Sequence, residues 1–190
     1  TGHVRTNQIY GVPLMELRPQ LMAPWESVAK RLIDITVALV VLVGLAPLWL
    51  MVAAAIRLDS RGPILFRQER VGRSAKPFAM YKFRSMVVEA EDKTGPTWVA
   101  DADPRVTRVG RVLRAVHFDE IPQCINFLRG DMSLVGPRPE RPFFVEKFTQ
   151  QIPFYLRRFN VKPGLLGWAQ SKHEFDMQST DFATIAAERL

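Results

Sequence analysis

Cysteine is nearly absent: Cys124 is the single one in 190 residues. An intrachain disulfide is thereby excluded, which fits a reducing compartment. Histidine is almost as scarce, with three in all, and no Cys/His cluster suggests a zinc site. Acidic residues are outnumbered, 19 against 26 basic, for a formal net charge of +7. An anionic partner is therefore expected: nucleic acid, a membrane surface or a phosphorylated substrate. No internal repeat or low-complexity segment is found. Nor is there a start methionine or a cleavable signal; the chain begins Thr1-Gly2-His3 and stops at Glu188-Arg189-Leu190. It reads as a piece of something longer.

What is present is distinctive. Of the 26 basic residues, 19 are Arg and 7 are Lys. The guanidinium fork suits phosphate oxygens, so the bias favours phosphate recognition over mere solubility. Residues 1–29 hold Pro13, Pro19 and Pro24 without a sustained period. They predict an irregular lead-in with at most short helices.

Ile33 to Ile56 is the most apolar stretch, 24 residues with Asp34 as the only charge. At about 1.5 Å per residue it is long enough for a hydrocarbon core of roughly 30 Å. Pro47 near its middle removes a backbone hydrogen bond and predicts a kink, with Gly44 loosening the same region. Basic residues flank both ends: Lys30 and Arg31 before, Arg57 and Arg61 after. Basic flanks belong on the cytoplasmic side. The residues alone leave a re-entrant helix and a spanning helix equally open.

Residues 64–84 read as two short extended segments around a turn at Gly72-Arg73-Ser74, closed by Lys82-Phe83-Arg84-Ser85-Met86. Asp103-Pro104 resembles a helix start, an Asp cap followed by Pro at the first helical position. From there Arg105, Arg108, Arg111 and Arg114 recur every third residue, interleaved with Val106, Val109, Leu113 and Val116. This predicts an amphipathic basic helix for lipid headgroups or phosphate.

A further helix is predicted from near His117, with Ile121, Cys124, Ile125 and Leu128 as its apolar face. Asp119 and Glu120 fall in its first turn, where free N–H groups and nearby arginines favour the ionised forms. An ionised Asp can act as a nucleophile and an adjacent carboxylate can hold Mg²⁺. Gly136-Pro137-Arg138-Pro139 follows, and its two prolines fix the backbone around Arg138 for recognition of a diphosphate. Lys162-Pro163-Gly164 and Gly167-Trp168 form a second rigid element. Trp168 could stack on a base or sugar, sit at a membrane interface, or be plain core.

Taken in order, these motifs resemble the catalytic domain of the bacterial monotopic phosphoglycosyl transferases, the bacterial sugar transferase family. The resemblance covers roughly residues 28–170. It rests on Lys30-Arg31 with Asp34, the apolar helix with Pro47, Lys82 through Met86, Asp119-Glu120-Ile121-Pro122-Gln123, Gly130 through Pro139, and Lys162 through Trp168. It implies an α+β fold, mainly α: a re-entrant helix-break-helix, amphipathic interfacial helices and a small β-hairpin. Residues 1–27 resemble a connector from an upstream region, and 28–190 the membrane-associated catalytic domain, with its C-terminal part cut short.

The implied reaction moves a sugar-1-phosphate from a UDP-sugar to a polyprenyl phosphate on the cytoplasmic face of the bacterial inner membrane, releasing UMP. The resemblance makes Asp119 the nucleophile that forms a covalent phosphosugar intermediate and Glu120 the residue tied to Mg²⁺. Lys82, Arg84, Arg114, Arg138 and Lys162 are the expected substrate-binding cations, with Asp119 beside Glu120 at the metal. The sequence departs from the family at Ala46 before Pro47, where Ser is frequent, at His117, where a small polar cap is commoner, and at Leu166, where Thr is frequent. A homo-oligomer is compatible with all of this. A peripheral scaffold would use the apolar helix and basic faces but not the acid pair. A nucleic-acid binder would have no purpose for the apolar run, so no nucleic-acid partner is expected.

Overall fold

The structure, a computed structural model, describes residues 4–9, 12–17, 22–88 and 103–167. The chain divides into two compact units, Thr1–Ile33 and Asp34–Leu190. In the first, β1 (Val4–Ile9) and β2 (Val12–Leu17) pair antiparallel, from Val4 opposite Leu17 to Ile9 opposite Val12. This corrects the irregular lead-in expected for residues 1–29. Pro13 is accommodated because a two-stranded sheet consists of edges only.

Helix α1 (Pro24–Gly44) begins in the first unit and continues into the second, and α2 (Ala46–Asp59) follows after a break of one residue. Pro47 lies in the first turn of α2, where its missing N–H costs nothing. The chain bends by 65° at the break. Among the described residues no single helix is long and apolar enough to cross a membrane, but this bent pair passes together. Leu39, Val40, Val43, Leu50 and Met51 on its two limbs are exposed.

Both limbs return to the same body. On α1, the buried Asp34 carboxylate accepts from Ser133 Oγ at 3.0 Å and from Leu134 N–H at 2.8 Å. A buried carboxylate is tolerable only with such donors. On α2, Ile56 is buried with Phe83 and Leu113. Trp49 meets Phe83 edge-on at 5.1 Å, and Phe83 stacks on Phe118 at 6.4 Å.

The expected hairpin is present. β3 (Leu65–Val71) pairs antiparallel with β4 (Pro77–Phe83) around a 3₁₀ turn, Arg73–Ala75. The basic helix α3 (Arg108–Ala115) starts later than Asp103-Pro104 implied. Thr107 Oγ1 caps it by accepting from Gly110 N–H at 2.9 Å, while Asp103 accepts from the Arg105 N–H and guanidinium. Its face is also narrower than expected: Leu113 is buried and Val116 is exposed.

The helix predicted from His117 is two elements: a 3₁₀ turn at Phe118–Gln123, then α4 (Cys124–Arg129). Pro122 lacks the N–H that a continuous α-helix would use, so the tighter turn forms first. Gly130 ends α4 at φ +85°, a left-handed cap that favours glycine. The chain then forms β5 (Ser133–Val135), α5 (Pro142–Gln151), a 3₁₀ segment at Tyr155–Asn160 and β6 (Gly164–Leu166). β5 and β6 pair in parallel, Ser133 beside Gly164. A side chain at either Gly136 or Gly164 would collide with the other's backbone, which explains both glycines.

Candidate active site

The acid pair occupies the first turn of the 3₁₀ segment after α3. His117, in the left-handed region at φ 54°, sets the entry to this turn and makes no side-chain cap. β4 supplies Lys82 and the loop after β5 supplies Arg138. Lys82 Nζ and Arg138 Nη2 both donate to Glu120 Oε1, at 2.7 and 2.8 Å. Burial pushes the Glu120 carboxyl up, but Lys82 and Arg138 outweigh it and bring the pKa down to about 2. Glu120 is therefore ionised.

Asp119 behaves differently from expectation. It is buried, and the loss of water raises its pKa despite the pull of Lys82 and Arg114. The charge of Glu120 next door adds to the rise. Free N–H groups at a helix start do not offset burial here, so the expectation that both acids favour ionisation holds for Glu120 alone. Lys82 is also shifted, downward, chiefly by burial and against the attraction of Glu120.

Of the five cations expected to bind substrate, two bond the acid pair: Lys82 and Arg138 both donate to Glu120, while the charge of Arg114 acts on Asp119 less than that of Lys82. Arg114 Nη1 is buried without a hydrogen-bond partner among the described residues. Arg84 is elsewhere. Its buried guanidinium donates to the carbonyls of Ile56, Ser60 and Arg61 and to Ser60 Oγ, closing the loop after α2. It lies only two residues from Lys82, but carbonyls in that loop take both terminal nitrogens, and Nε is left without a partner among the described residues. Lys162 precedes Pro163, whose carbonyl accepts from Ser133 N–H at 2.9 Å. This puts Lys162 at the foot of the parallel strand pair, near Gly136. Trp168 lies outside the described residues.

The loop that carries Arg138 is held at every carbonyl. Pro137 O accepts from Gly164 N–H at 3.0 Å, Arg138 O from Arg158 Nη2 at 2.8 Å, and Pro139 O from Arg70 Nη1 at 3.0 Å. Glu140 O accepts from Val71 N–H at 2.9 Å. Proline restricts the backbone twice, and four contacts from distant segments fix what remains. Arg158 is itself buried and donates its other end to Tyr155 Oη at 2.7 Å.

Sequence reasoning missed Arg70, Asn126 and Arg158. Asn126 is fully buried; its side chain accepts from Tyr81 N–H at 3.1 Å and donates to Ala79 O at 2.7 Å, so it locks α4 to the strand bearing Lys82. A polar residue among Cys124, Ile125, Phe127 and Leu128 was the available signal for Asn126. No local pattern marks the role of Arg70 or Arg158, because the loop carbonyls they hold are 69 and 20 residues away.

Among the described residues no group of three or more His, Cys, Asp or Glu side chains converges. Asp119 and Glu120 remain as an adjacent carboxylate pair. That donor set fits Mg²⁺, which takes one or two carboxylates and completes its shell with substrate phosphate and water.

Comparison with known proteins gives a consistent picture. The family model described as bacterial sugar transferase matches residues 25–187. The chain is 43% identical over 181 residues, 95% of its length, to the Aeromonas hydrophila UDP-N-acetylgalactosamine-undecaprenyl-phosphate N-acetylgalactosaminephosphotransferase, and covers 42% of that protein. It is also 43% identical over 168 residues, 88% of its length, to the UDP-glucose:undecaprenyl-phosphate glucose-1-phosphate transferase of Escherichia coli (strain K12), covering 36% of it. A Caulobacter vibrioides protein of the latter name is 45% identical over 159 residues, 83% of this chain and 59% of the relative. The chain thus spans less than half the length of the first two.

Proposed function

The chain belongs to the bacterial sugar transferase family, and we propose that it transfers a sugar-1-phosphate from a UDP-sugar to a polyprenyl phosphate at the cytoplasmic face of the bacterial inner membrane. The observation that carries this reading is that Lys82 and Arg138 both bond Glu120 beside the buried Asp119. The similar proteins are named for transfers from UDP-sugars to undecaprenyl phosphate, which supports the substrate classes.

Asp119 is the nucleophile in this proposal. One of its carboxylate oxygens attacks the phosphorus that bears the sugar. The bond from that phosphorus to the bridging oxygen breaks, and UMP leaves with the electron pair. An oxygen of the polyprenyl phosphate then attacks the same phosphorus and displaces Asp119, giving the lipid diphosphate-sugar and restoring the carboxylate. Burial makes Asp119 more basic than an ordinary carboxylate, and hence a stronger nucleophile once ionised. Glu120, held ionised, keeps Lys82 and Arg138 in place beside it. Those two cations and Arg114 offset the repulsion between the anionic nucleophile and the diphosphate. Asp119 and Glu120 would hold Mg²⁺, which when bound neutralises phosphate charge.

We extend the proposal to the bent helix pair, which re-enters the membrane without crossing it. Asp34 on one limb and Ile56 on the other are both anchored to the catalytic body. With about 1.5 Å per residue, the bend lies roughly 15 to 18 Å along each limb from its anchor, about half of a hydrocarbon core. The acceptor phosphate sits at the headgroup plane, so a site at that height reaches it without extracting the lipid. A peripheral scaffold would leave the buried Asp119 and the bonded Glu120 unexplained.

The test is UMP release from UDP-glucose and UDP-N-acetylgalactosamine with undecaprenyl phosphate and Mg²⁺. UDP-sugar alone should leave a phosphosugar adduct on intact protein that maps to Asp119. Absence of UMP with every donor and acceptor tried would sink the transferase reading, and an adduct on another residue would sink the assignment of the nucleophile.

A further inference from the structure

Among the described residues four that are not glycine adopt the left-handed backbone: Ser74, Ala75, His117 and Phe154, at φ 58°, 57°, 54° and 63°. His117 enters the acid-pair turn. The other three belong to one place, because the hairpin turn Arg73–Ala75 lies against the 3₁₀ segment Tyr155–Asn160 that Phe154 introduces. This backbone is costly for a bulky side chain, and such residues gather where function requires them. Core packing does not repay the strain at Phe154, whose ring is 70% exposed; glycine would adopt the same φ freely.

The charge at this place is of one sign. Residues 70–77 and 152–162 hold Arg70, Arg73, Lys76, Arg157, Arg158 and Lys162, and no Asp or Glu. Arg70 and Arg158 hold the loop that carries Arg138. Arg73, Lys76 and Arg157 are exposed. The Arg157 guanidinium lies 4.2 Å from the centre of the Phe154 ring, and the neighbouring Leu156 is half exposed. An exposed ring and a leucine set among cations suit a bilayer surface, where apolar groups settle at headgroup depth and cations meet lipid phosphate.

The hairpin carries this patch along the apolar limb of the bent pair. Met80 on β4 is buried with Ala38 of α1, and Phe78, Val41 and Leu42 pack against the same cluster. Lys76 is two residues from Phe78, within about 7 Å even for an extended chain. The tip of the hairpin is thus held on the α1 side of the body.

We propose that Arg73, Lys76, Phe154, Leu156 and Arg157 form a second membrane contact, one that takes anionic lipid headgroups. It rests on the proposed membrane reading and adds a surface apart from both the bent helix pair and the acid pair. Contact at the tip restrains the body from rocking about the helix pair.

The test uses the full chain in a Cys124→Ser background, in nanodiscs of phosphatidylcholine with or without phosphatidylglycerol. A fluorophore on Leu156→Cys reports quenching by lipids spin-labelled near the headgroup, and one on Val43→Cys reports insertion of the bent pair. The Leu156 probe should be quenched strongly with phosphatidylglycerol and weakly without it. Arg73→Ser combined with Arg157→Ser should abolish that difference. Phe154→Gly should reduce the quenching while raising the melting temperature, since glycine relieves the left-handed strain. A fall in that melting temperature overturns the proposal, because the ring would then be holding the fold. Equal quenching in both lipids overturns the preference for anionic headgroups. Quenching at Val43 but not at Leu156 sinks the second contact, leaves the re-entrant helix standing and passes the patch to an acidic protein partner. Quenching at Leu156 alone does the reverse, and quenching at neither position sinks both.

Discussion

Arg158→Met is the sharpest probe of how the site is held together. The arginine touches neither acid. It donates to Arg138 O at 2.8 Å and to Tyr155 Oη at 2.7 Å, and its guanidinium lies 4.9 Å from the Tyr155 ring centre. Methionine keeps the aliphatic bulk and removes both bonds. Two hydrogen bonds from a buried charged donor make the loss of stability roughly 2–4 kcal/mol. The effect on turnover follows a different route. With Arg138 O released, the guanidinium bonded to Glu120 at 2.8 Å is free to drift. A displacement of about 1 Å at a reacting centre costs on the order of 100-fold. We expect kcat/KM for UMP release to fall about 30- to 100-fold, measured well below the variant's Tm so that unfolding does not contribute. In an Arg138→Met background the same change should cost less than about threefold, a coupling of roughly 2 kcal/mol between two residues acting as a unit. Equal losses in both backgrounds would refute the reasoning, because Arg158 would then not act through Arg138.

Asp119→Asn should abolish turnover and the covalent adduct while leaving the melting temperature at or above that of wild type, because a buried carboxyl with a raised pKa is replaced by a neutral isostere; appreciable UMP release by this variant would remove Asp119 as nucleophile. Glu120 is shifted the other way, from an ordinary 4.5 to about 2, so its contribution to stability is complete above 4.5 and is lost as pH falls from 4.5 to about 2. The Tm of wild type should therefore drop more steeply across that window than the Tm of Glu120→Gln, and parallel curves would show that the pairing with Lys82 and Arg138 contributes nothing. Arg138→Lys keeps the charge and loses the planar fork, and should lose about 2 kcal/mol of transition-state stabilisation in kcat/KM, while the exposed Arg108 should tolerate Lys with little change; equal activity of Arg138→Lys and wild type would show that charge suffices. Single cysteines at Lys30 and Arg57 in a Cys124→Ser background should react with an impermeant thiol reagent from the cytoplasmic side only, and labelling on opposite sides would show a spanning helix.

The parts of this protein that were legible from sequence are those whose cause is local. Pro47 breaks the apolar helix near the residue expected, because a missing N–H acts within one turn. The β3–β4 hairpin follows from alternation around Gly72-Arg73-Ser74. The acid pair and Arg138 stood out because a DE dipeptide and a Pro-Arg-Pro run are visible within a few residues. What failed depended on contacts across the chain or on burial. The start of α3 moved to Thr107 because Asp103 is committed to Arg105. The resemblance puts Arg84 among the substrate-binding cations, yet the loop around Ser60 takes both terminal nitrogens of its guanidinium. Asp119 was expected to favour ionisation because its neighbours in sequence are cationic or helix-initiating; its pKa is set first by the water it has lost.

One consequence of the fold joins the apolar helix to the catalytic loop. Asp34 on α1 bonds Ser133 and Leu134 on β5. Arg138 is four residues beyond Leu134, within about 14 Å even for a fully extended chain. The intervening segment is not free to flex, since Gly136 N–H donates to Leu166 O and Pro137 O accepts from Gly164 N–H, both at 3.0 Å. If the helix pair rests in a membrane as proposed, its depth therefore sets the height of the guanidinium that grips Glu120. On the proposed reading, a carboxylate within an apolar helix serves as the fixed link between the membrane and the phosphate site. Its burial is tolerable because β5 supplies two donors, and β5 is the strand that leads directly into the loop bearing Arg138.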